Sequence, residues 1–253
     1  MTDTALSLQG LHKSFGAKQA VSDLTLDVRA GSMFGLVGPN GAGKTTTLSM
    51  ATGLLRPDAG RAFVLGSDVW ADPAAAKARM GVLPDGVRLF DRLSGRELLR
   101  YVGLLRSVDP GLLETRSAEL LEALGLTEDA DNLVVDYSAG MTKKIGLACA
   151  LVHAPRLLLL DEPLEAVDPV SGEAIRSILR SYVAGGGTVV LSSHVMELVE
   201  SMCDTVAVVA QGRVLALGSL DEVRAGESLQ RRFISLVGGK ELDQEALTWL
   251  RSS

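Results

Sequence analysis

Aromatic residues are scarce: five Phe, three Tyr and two Trp make up 4% of the 253 residues. Taken with a net charge of −6, that argues against a nucleic-acid binder, which carries a basic patch interleaved with stacking aromatics. Cysteine is rarer still. Cys149 and Cys203 stand far apart with neither metal-ligand nor redox spacing, which excludes a disulfide framework and leaves both as packing residues of a cytosolic-type protein. Long apolar runs are missing too. Uncharged stretches such as Gly31–Gly43 and Ile145–Pro155 fall short of a bilayer span and contain Gly, Pro or His. The first ten residues carry an acid and an alternating pattern where a secretory leader would have a charged head and an apolar run, so no leader is expected.

What is present is core material. Apolar residues make up 47% of the chain, ordinary for a packed interior, and the length suits one large α/β domain or two small ones. In Leu24–Val28 apolar and polar residues alternate, the mark of a strand with one buried face. Leu6, Leu8 and Ala62–Leu65 look like its companions. Met33–Val37, Leu157–Leu160, Val189–Leu191 and Val206–Val209 are apolar throughout, as strands of a parallel sheet covered on both faces are. Helical patterns are expected at Lys44–Leu54, Gly95–Ser107, Leu112–Leu124, Ala139–Val152, Gly172–Val183 and Val195–Met202. Three of these follow one another from about residue 90 to 153 without a convincing strand, which reads as an all-helical insert. A hairpin-like Val206–Leu217 turns at Gln211-Gly212, and a short helical tail is expected over 226–253.

Gly38-Pro39-Asn40-Gly41-Ala42-Gly43-Lys44-Thr45 fits G-x-x-x-x-G-K-[ST] at every fixed position, between an apolar strand and a helix. The glycines let consecutive N–H groups turn inward into a nest for phosphate oxygens, and the helix start adds its positive end. Lys44 is placed to reach β- and γ-phosphates. The Thr45 hydroxyl suits Mg²⁺, with Thr46 beside it. A Gly-rich turn with an incidental Lys-Thr is the bland alternative, and the strand–loop–helix setting argues against it. Four leucines, Leu157–Leu160, then deliver Asp161 and Glu162 to the carboxyl edge of the sheet, where ligands of open α/β sheets bind. Asp161 suits the water shell of Mg²⁺ and Glu162 a general base.

Several nucleotide-hydrolysing classes share those two elements. Tyr137-Ser138-Ala139-Gly140-Met141, followed by a helix that ends just before the Asp161 strand, resembles the signature sequence of ATP-binding cassette (ABC) ATPases. Ser138 and Gly140 match that pattern, while Tyr137, Ala139 and Met141 depart from it. The Y-S-x-G-M form resembles the export-type branch that moves drugs, lipids or other hydrophobic compounds. The resemblance runs from Leu6 to about Gly218 with every motif in the family's order.

It implies a RecA-like P-loop core with an N-terminal antiparallel β-subdomain and a helical insert, together spanning residues 1–225. It further implies that Ser138 and Gly140 grip the γ-phosphate of ATP held by an opposite subunit, and that Asp168 lies in a loop crossing that interface. His194, after Thr188–Ser193, resembles the switch histidine that contacts the γ-phosphate and the attacking water. Phe15 stands where the family stacks an aromatic on adenine, with Val21 flanking the base. His12 and His153 carry no such resemblance and read as structural or surface residues.

Asp85, in Gly81-Val82-Leu83-Pro84-Asp85, takes the place of the family's Mg²⁺-binding Gln, and its charge would repel Asp161 and Glu162 unless neutralised. Expected ligands are ATP and Mg²⁺. Expected partners are permease subunits on separate transmembrane chains and a second ABC ATPase subunit, at the inner face of the cell membrane, with no nucleic acid. Two other readings compete. One is a soluble cassette ATPase acting on ribosomes or chromosomes, which would normally carry two cassettes or long coiled-coil inserts. The other is a regulatory nucleotide binder that does not hydrolyse, against which Lys44, Asp161, Glu162 and His194 all stand.

Overall fold

The computed structural model describes residues 4–86 and 88–238. The expected β-subdomain is a four-stranded antiparallel sheet of order β2-β1-β4-β5, built from β1 (Thr4–Phe15), β2 (Lys18–Arg29), β4 (Ala59–Val64) and β5 (Ser67–Asp68). The second sheet has the order β10-β9-β3-β8-β7-β6 and contains β3 (Met33–Val37), β6 (Met80–Leu83), β7 (Leu157–Asp161), β8 (Thr188–Ser193), β9 (Thr205–Ala210) and β10 (Arg213–Ser219). All its neighbours are parallel except the β9–β10 hairpin. That hairpin turns at Gln211 and Gly212, both with positive φ (51° and 74°), as a primed turn requires.

Side-chain alternation on the uniformly apolar strands feeds two cores. Leu157, Leu159, Phe34, Leu36 and Val190 face the antiparallel sheet and α1 (Lys44–Ala51). Leu158, Leu160, Val189 and Leu191 face α5 (Ala139–Leu151), α6 (Pro169–Ala184) and α7 (Met196–Met202), meeting Ile145, Ile175 and Val199. Each strand residue is thereby buried, which explains why Met33–Val37, Leu157–Leu160 and Val189–Leu191 carry no polar side chain.

The insert is helical as expected: α3 (Gly95–Leu105), α4 (Pro110–Ala123), a 3-10 turn over Val134–Asp136, then α5. Ser94 and Glu97 form a reciprocal capping box at the start of α3, and Asp109 followed by Pro110 starts α4. Short elements that went unforeseen include strand β5, helix α2 (Pro73–Ala78) and strand β6. In β6 a Cβ on Gly81 would lie 2.1 Å from the Ala150 carbonyl oxygen, so only glycine lets α5 pack this close. Helix α8 (Leu220–Arg224) precedes the expected tail; within the tail α9 (Leu229–Val237) is seen, and residues 239–253 lie outside the described residues. Among the described residues no helix is long and apolar enough to cross a membrane. Burial pushes the thiols of Cys149 and Cys203 up to about 12, in keeping with packing roles.

Candidate nucleotide site

The P-loop links the end of β3 to α1, and its glycines are required by close approaches. A Cβ on Gly38 would meet the Val209 carbonyl oxygen at 2.1 Å. Gly43, with φ 105°, would meet the Ala20 carbonyl oxygen at 2.6 Å. The β9–β10 turn props the loop from behind, Gly212 N–H donating to the Ala42 carbonyl at 2.9 Å. Gly43 caps α1 with no side-chain hydrogen bond, and the helix has no acidic residue in its first turn. An anion therefore meets backbone donors and the positive helix end without competition.

A cleft of about 400 Å³ opens above this loop. Asn40, Gly41, Ala42, Gly43, Lys44, Thr45 and Thr46 line its floor, with Asp85, Glu162, Glu165 and His194 on one wall and Phe15, Lys18 and Ala20 on the other. Lys44 is 6% exposed, and its ammonium donates to the Gly38 carbonyl at 2.8 Å. It also stands 3.5 Å from Glu162 Oε1, and the same carboxylate oxygen lies 3.1 Å from His194 Nδ1. A cation, a carboxylate and an imidazole thus converge from the start of α1 and from the ends of β7 and β8.

Glu162 is held in an uncommon backbone conformation, φ 47°, immediately after β7. For a residue bearing a Cβ this is strained, and such strain persists only where neighbours impose it. Here Ser192 does so. Its Oγ accepts the Glu162 N–H at 3.0 Å and donates to the Asp161 carboxylate.

Thr45, Asp85 and Asp161, the three expected Mg²⁺ residues, line one narrow space of about 70 Å³ beside α1. One hydroxyl and two carboxylates are hard oxygen donors, too few to enclose an ion. Among the described residues no group of three or more His, Cys, Asp or Glu could hold a metal by itself. Such a partial set fits Mg²⁺, which keeps waters and shares phosphate oxygens.

Phe15 is 52% exposed at the cleft rim, with the Lys13 ammonium 5.8 Å from its ring centroid. Val21 is not at the cleft: it is fully buried, and Ala20 and Lys18 line the wall. Neighbouring strand residues face opposite ways, and Ser22 N–H bonds the Gly212 carbonyl at 2.9 Å, which turns Val21 into the core. Lys18 was not singled out by the sequence because its charge on a hairpin reads as ordinary surface.

Ser138 and Gly140 do not join this cleft. Ser138 caps α5, its Oγ accepting the Met141 N–H at 3.2 Å, and a Cβ on Gly140 would lie 3.7 Å from the Ala166 carbonyl oxygen. Tyr137 fills the insert core, its hydroxyl donating to the Asp129 carbonyl at 2.7 Å, which accounts for an aromatic at that position. Asp168 caps α6, accepting from Val170 and Ser171 N–H at 3.0 Å, and the Ser171 side chain, followed by these backbone bonds, holds its carboxyl below the usual range. A larger groove of about 810 Å³ lies near the C-terminal ends of α4, α5 and α6 and contains none of the motif residues.

The parallel sheet with its P-loop and strand-end acids defines a P-loop NTPase fold. The family model described as ABC transporter matches residues 21–165, more than half of the chain. The daunorubicin resistance ATP-binding protein DrrA3 of Streptomyces coeruleorubidus is 39% identical over 225 residues, 89% of this chain and 71% of that protein. The Nod factor export ATP-binding protein I of Bradyrhizobium diazoefficiens is 38% identical over 244 residues, 96% of this chain and 79% of that protein. A solved ATP-binding subunit of an ABC transporter superposes with a TM-score of 0.87 at 29% identity, covering 92% of this chain and all of that one. The chain belongs to the ABC transporter family.

Proposed function

We propose that this chain binds and hydrolyses ATP to power export through a membrane partner, working as one half of an ATP-sandwiched pair. The observation that carries the catalytic reading is the meeting of Lys44, Glu162 and His194 around one carboxylate oxygen. Phosphoryl transfer to water asks the protein for three things: neutralisation of phosphate charge, an oriented water and exclusion of alternatives. Lys44 and the α1 amides supply the first. Glu162, braced by Ser192, supplies the second by accepting a proton from the attacking water. His194 holds Glu162 in place and stands beside the incoming γ-phosphate. Thr45 and Asp161 would hold Mg²⁺, which when bound would supply further positive charge at the phosphates.

Entry of nucleotide draws the Lys44 ammonium from the Gly38 carbonyl and from Glu162 to phosphate oxygens, which releases Glu162 for its water. Phe15 offers its exposed face to adenine. Ser138 and Gly140, outside their own cleft, complete the cleft of a second copy or a homologous subunit. The export assignment comes from the drug-resistance and Nod factor export relatives. An exposed apolar surface on the insert is suited to the membrane partner: Phe90 and Tyr101 stack edge-on with centroids 5.1 Å apart, and Leu104 and Leu105 lie on the same helix as Tyr101.

Phosphate release by the purified protein with Mg-ATP tests the reading. Glu162→Gln should lower turnover by about 10²-fold or more, the scale of a lost general base, with ATP still bound. Turnover at the wild-type rate in that variant overturns the assignment.

A further inference from the structure

Asp85 follows β6 by way of Pro84, and its carboxylate lies 3.5 Å from Lys143 Nζ on α5. The same ammonium donates to the main-chain carbonyl of Glu162 at 2.9 Å. Only 12% of the Lys143 side chain is exposed. A cation withdrawn this far from water is retained only where its hydrogen bonds and a counter-charge offset the lost hydration. Lys143 has both, and they come from two different segments of the catalytic wall. The Glu162 backbone is thus gripped on both sides of its Cα, Ser192 on its N–H and Lys143 on its C=O, at a residue whose φ is 47°.

We infer that Lys143 is a positioning residue: it ties the helical insert to the strained Glu162 turn and neutralises Asp85, so that Asp85 acts as the anchor of this tie. Three consequences follow from the contacts. The repulsion that Asp85 would exert on Asp161 and Glu162 is quenched within the protein. Any movement of α5 relative to the sheet pulls directly on the carbonyl of the proposed base. A neutral residue at 143 leaves Asp85 unpaired and the Glu162 turn held from one side. The inference rests on Glu162 being the base, as proposed above.

Its test is a set of variants assayed for steady-state turnover, for binding of a fluorescent ATP analogue in EDTA, and for hydrogen exchange in peptides containing Asp85 or Glu162. Lys143→Met should lower kcat about tenfold, the scale of a slightly misplaced catalytic group, with analogue affinity within about twofold of wild type. Lys143→Arg, which keeps the cation, should recover kcat to within about threefold. Asp85→Asn should cost less than Lys143→Met and far less than Glu162→Gln, and should speed exchange in the Asp85 peptide. The double variant should be no worse than Lys143→Met alone, because both substitutions break one linkage.

Wild-type kcat in Lys143→Met, no recovery in Lys143→Arg, or multiplicative losses in the double variant overturn the inference. Should Lys143→Met fail to fold, unchanged exchange in Asp85→Asn does the same. Glu162→Gln separates the two levels. If it is inactive while Lys143→Met is normal, only the positioning role fails. If Glu162→Gln turns over normally, the base assignment has failed instead.

Discussion

Two helices of this chain begin at motif glycines or beside them, α1 after Gly43 and α5 after Ser138, and their first turns are finished differently. At α1 no side chain closes the N-terminus, and the free donors face a cleft that the same chain furnishes with Lys44, Glu162 and His194. At α5 the Ser138 hydroxyl takes the Met141 N–H, and the turn lies outside that cleft, near the Ala166 carbonyl. Both are anion-friendly by helix polarity. Only α1 has a complete constellation around it. The difference teaches that a motif's local chemistry does not say which molecule of the assembly it serves. In the proposed pair, a second copy or a homologous subunit would give the α5 terminus its occupant.

The largest expected effect comes from removing what makes α1 complete. Lys44→Ala should reduce turnover by about 10²–10³-fold, the scale of a lost charge stabiliser at a transition state. Substituting Lys143, the α5 cation that touches the same wall, is expected to do far less. Equal losses from the two, measured as phosphate release at saturating Mg-ATP, would erase the distinction between the two helix starts.

Next in size is the occupant of α5. Glu162→Gln keeps the binding groups and removes the base, so ATP should accumulate and hold two chains together, since its phosphates are then contacted from both. Size-exclusion chromatography with light scattering should show a dimer with ATP and a monomer with ADP. Adding Ser138→Arg should restore the monomer while ATP stays bound. A dimer indifferent to nucleotide and to Ser138 would remove the sandwich. A monomer at saturating ATP would point to a homologous second cassette or a membrane chain as the missing half.

These two helix starts were also unequally legible. The P-loop is contiguous, and its glycines are demanded by contacts that the motif itself encodes, at Gly38 and Gly43. The strand-end acids were equally plain because four leucines in a short run after a turn, with Asp-Glu at its end, read as a doubly covered strand. What escaped depended on distant chain. Val21 was expected beside the base, but the β9–β10 turn buries it and leaves Ala20 at the wall. The four-residue β6 was hidden by Gly81, a residue that opposes strand formation and is needed here for the approach of α5. The charge of Asp85 was legible, but the ammonium beside it, Lys143, lies far along the chain on α5, the last helix of the insert.

The rim of the α1 cleft offers a smaller perturbation. Phe15→Ala removes an exposed ring whose stacking on a base is worth about 1–3 kcal/mol. KM for ATP should rise about tenfold with kcat nearly unchanged, because adenine stays far from the reacting atoms. Phe15→Tyr should restore KM. A fall in kcat at constant KM would place the ring in a structural role at the end of β1.

The smallest expected effect distinguishes a helix start that only holds structure from one that also meets a ligand. Ser94 caps α3 much as Ser138 caps α5, its hydroxyl accepting the Glu97 N–H at 3.2 Å while Glu97 returns a bond to the Ser94 N–H at 2.9 Å. Ser94 is 7% exposed and lines none of the nucleotide cleft. Ser94→Ala should cost about 1 kcal/mol, the usual loss for a capping hydroxyl. For a chain of this length that lowers Tm by about 2–4 °C. Turnover per folded molecule and ATP-dependent dimerisation in the Glu162→Gln background should not change. Ser138→Ala removes a cap of the same kind, so its loss in Tm should be similar, but it should also weaken the ATP-dependent dimer. If both serines behave alike in the dimer assay, the α5 terminus has no role beyond its cap. If only Ser138 matters there, the hydroxyl that closes α5 in the single chain also serves the nucleotide of the other.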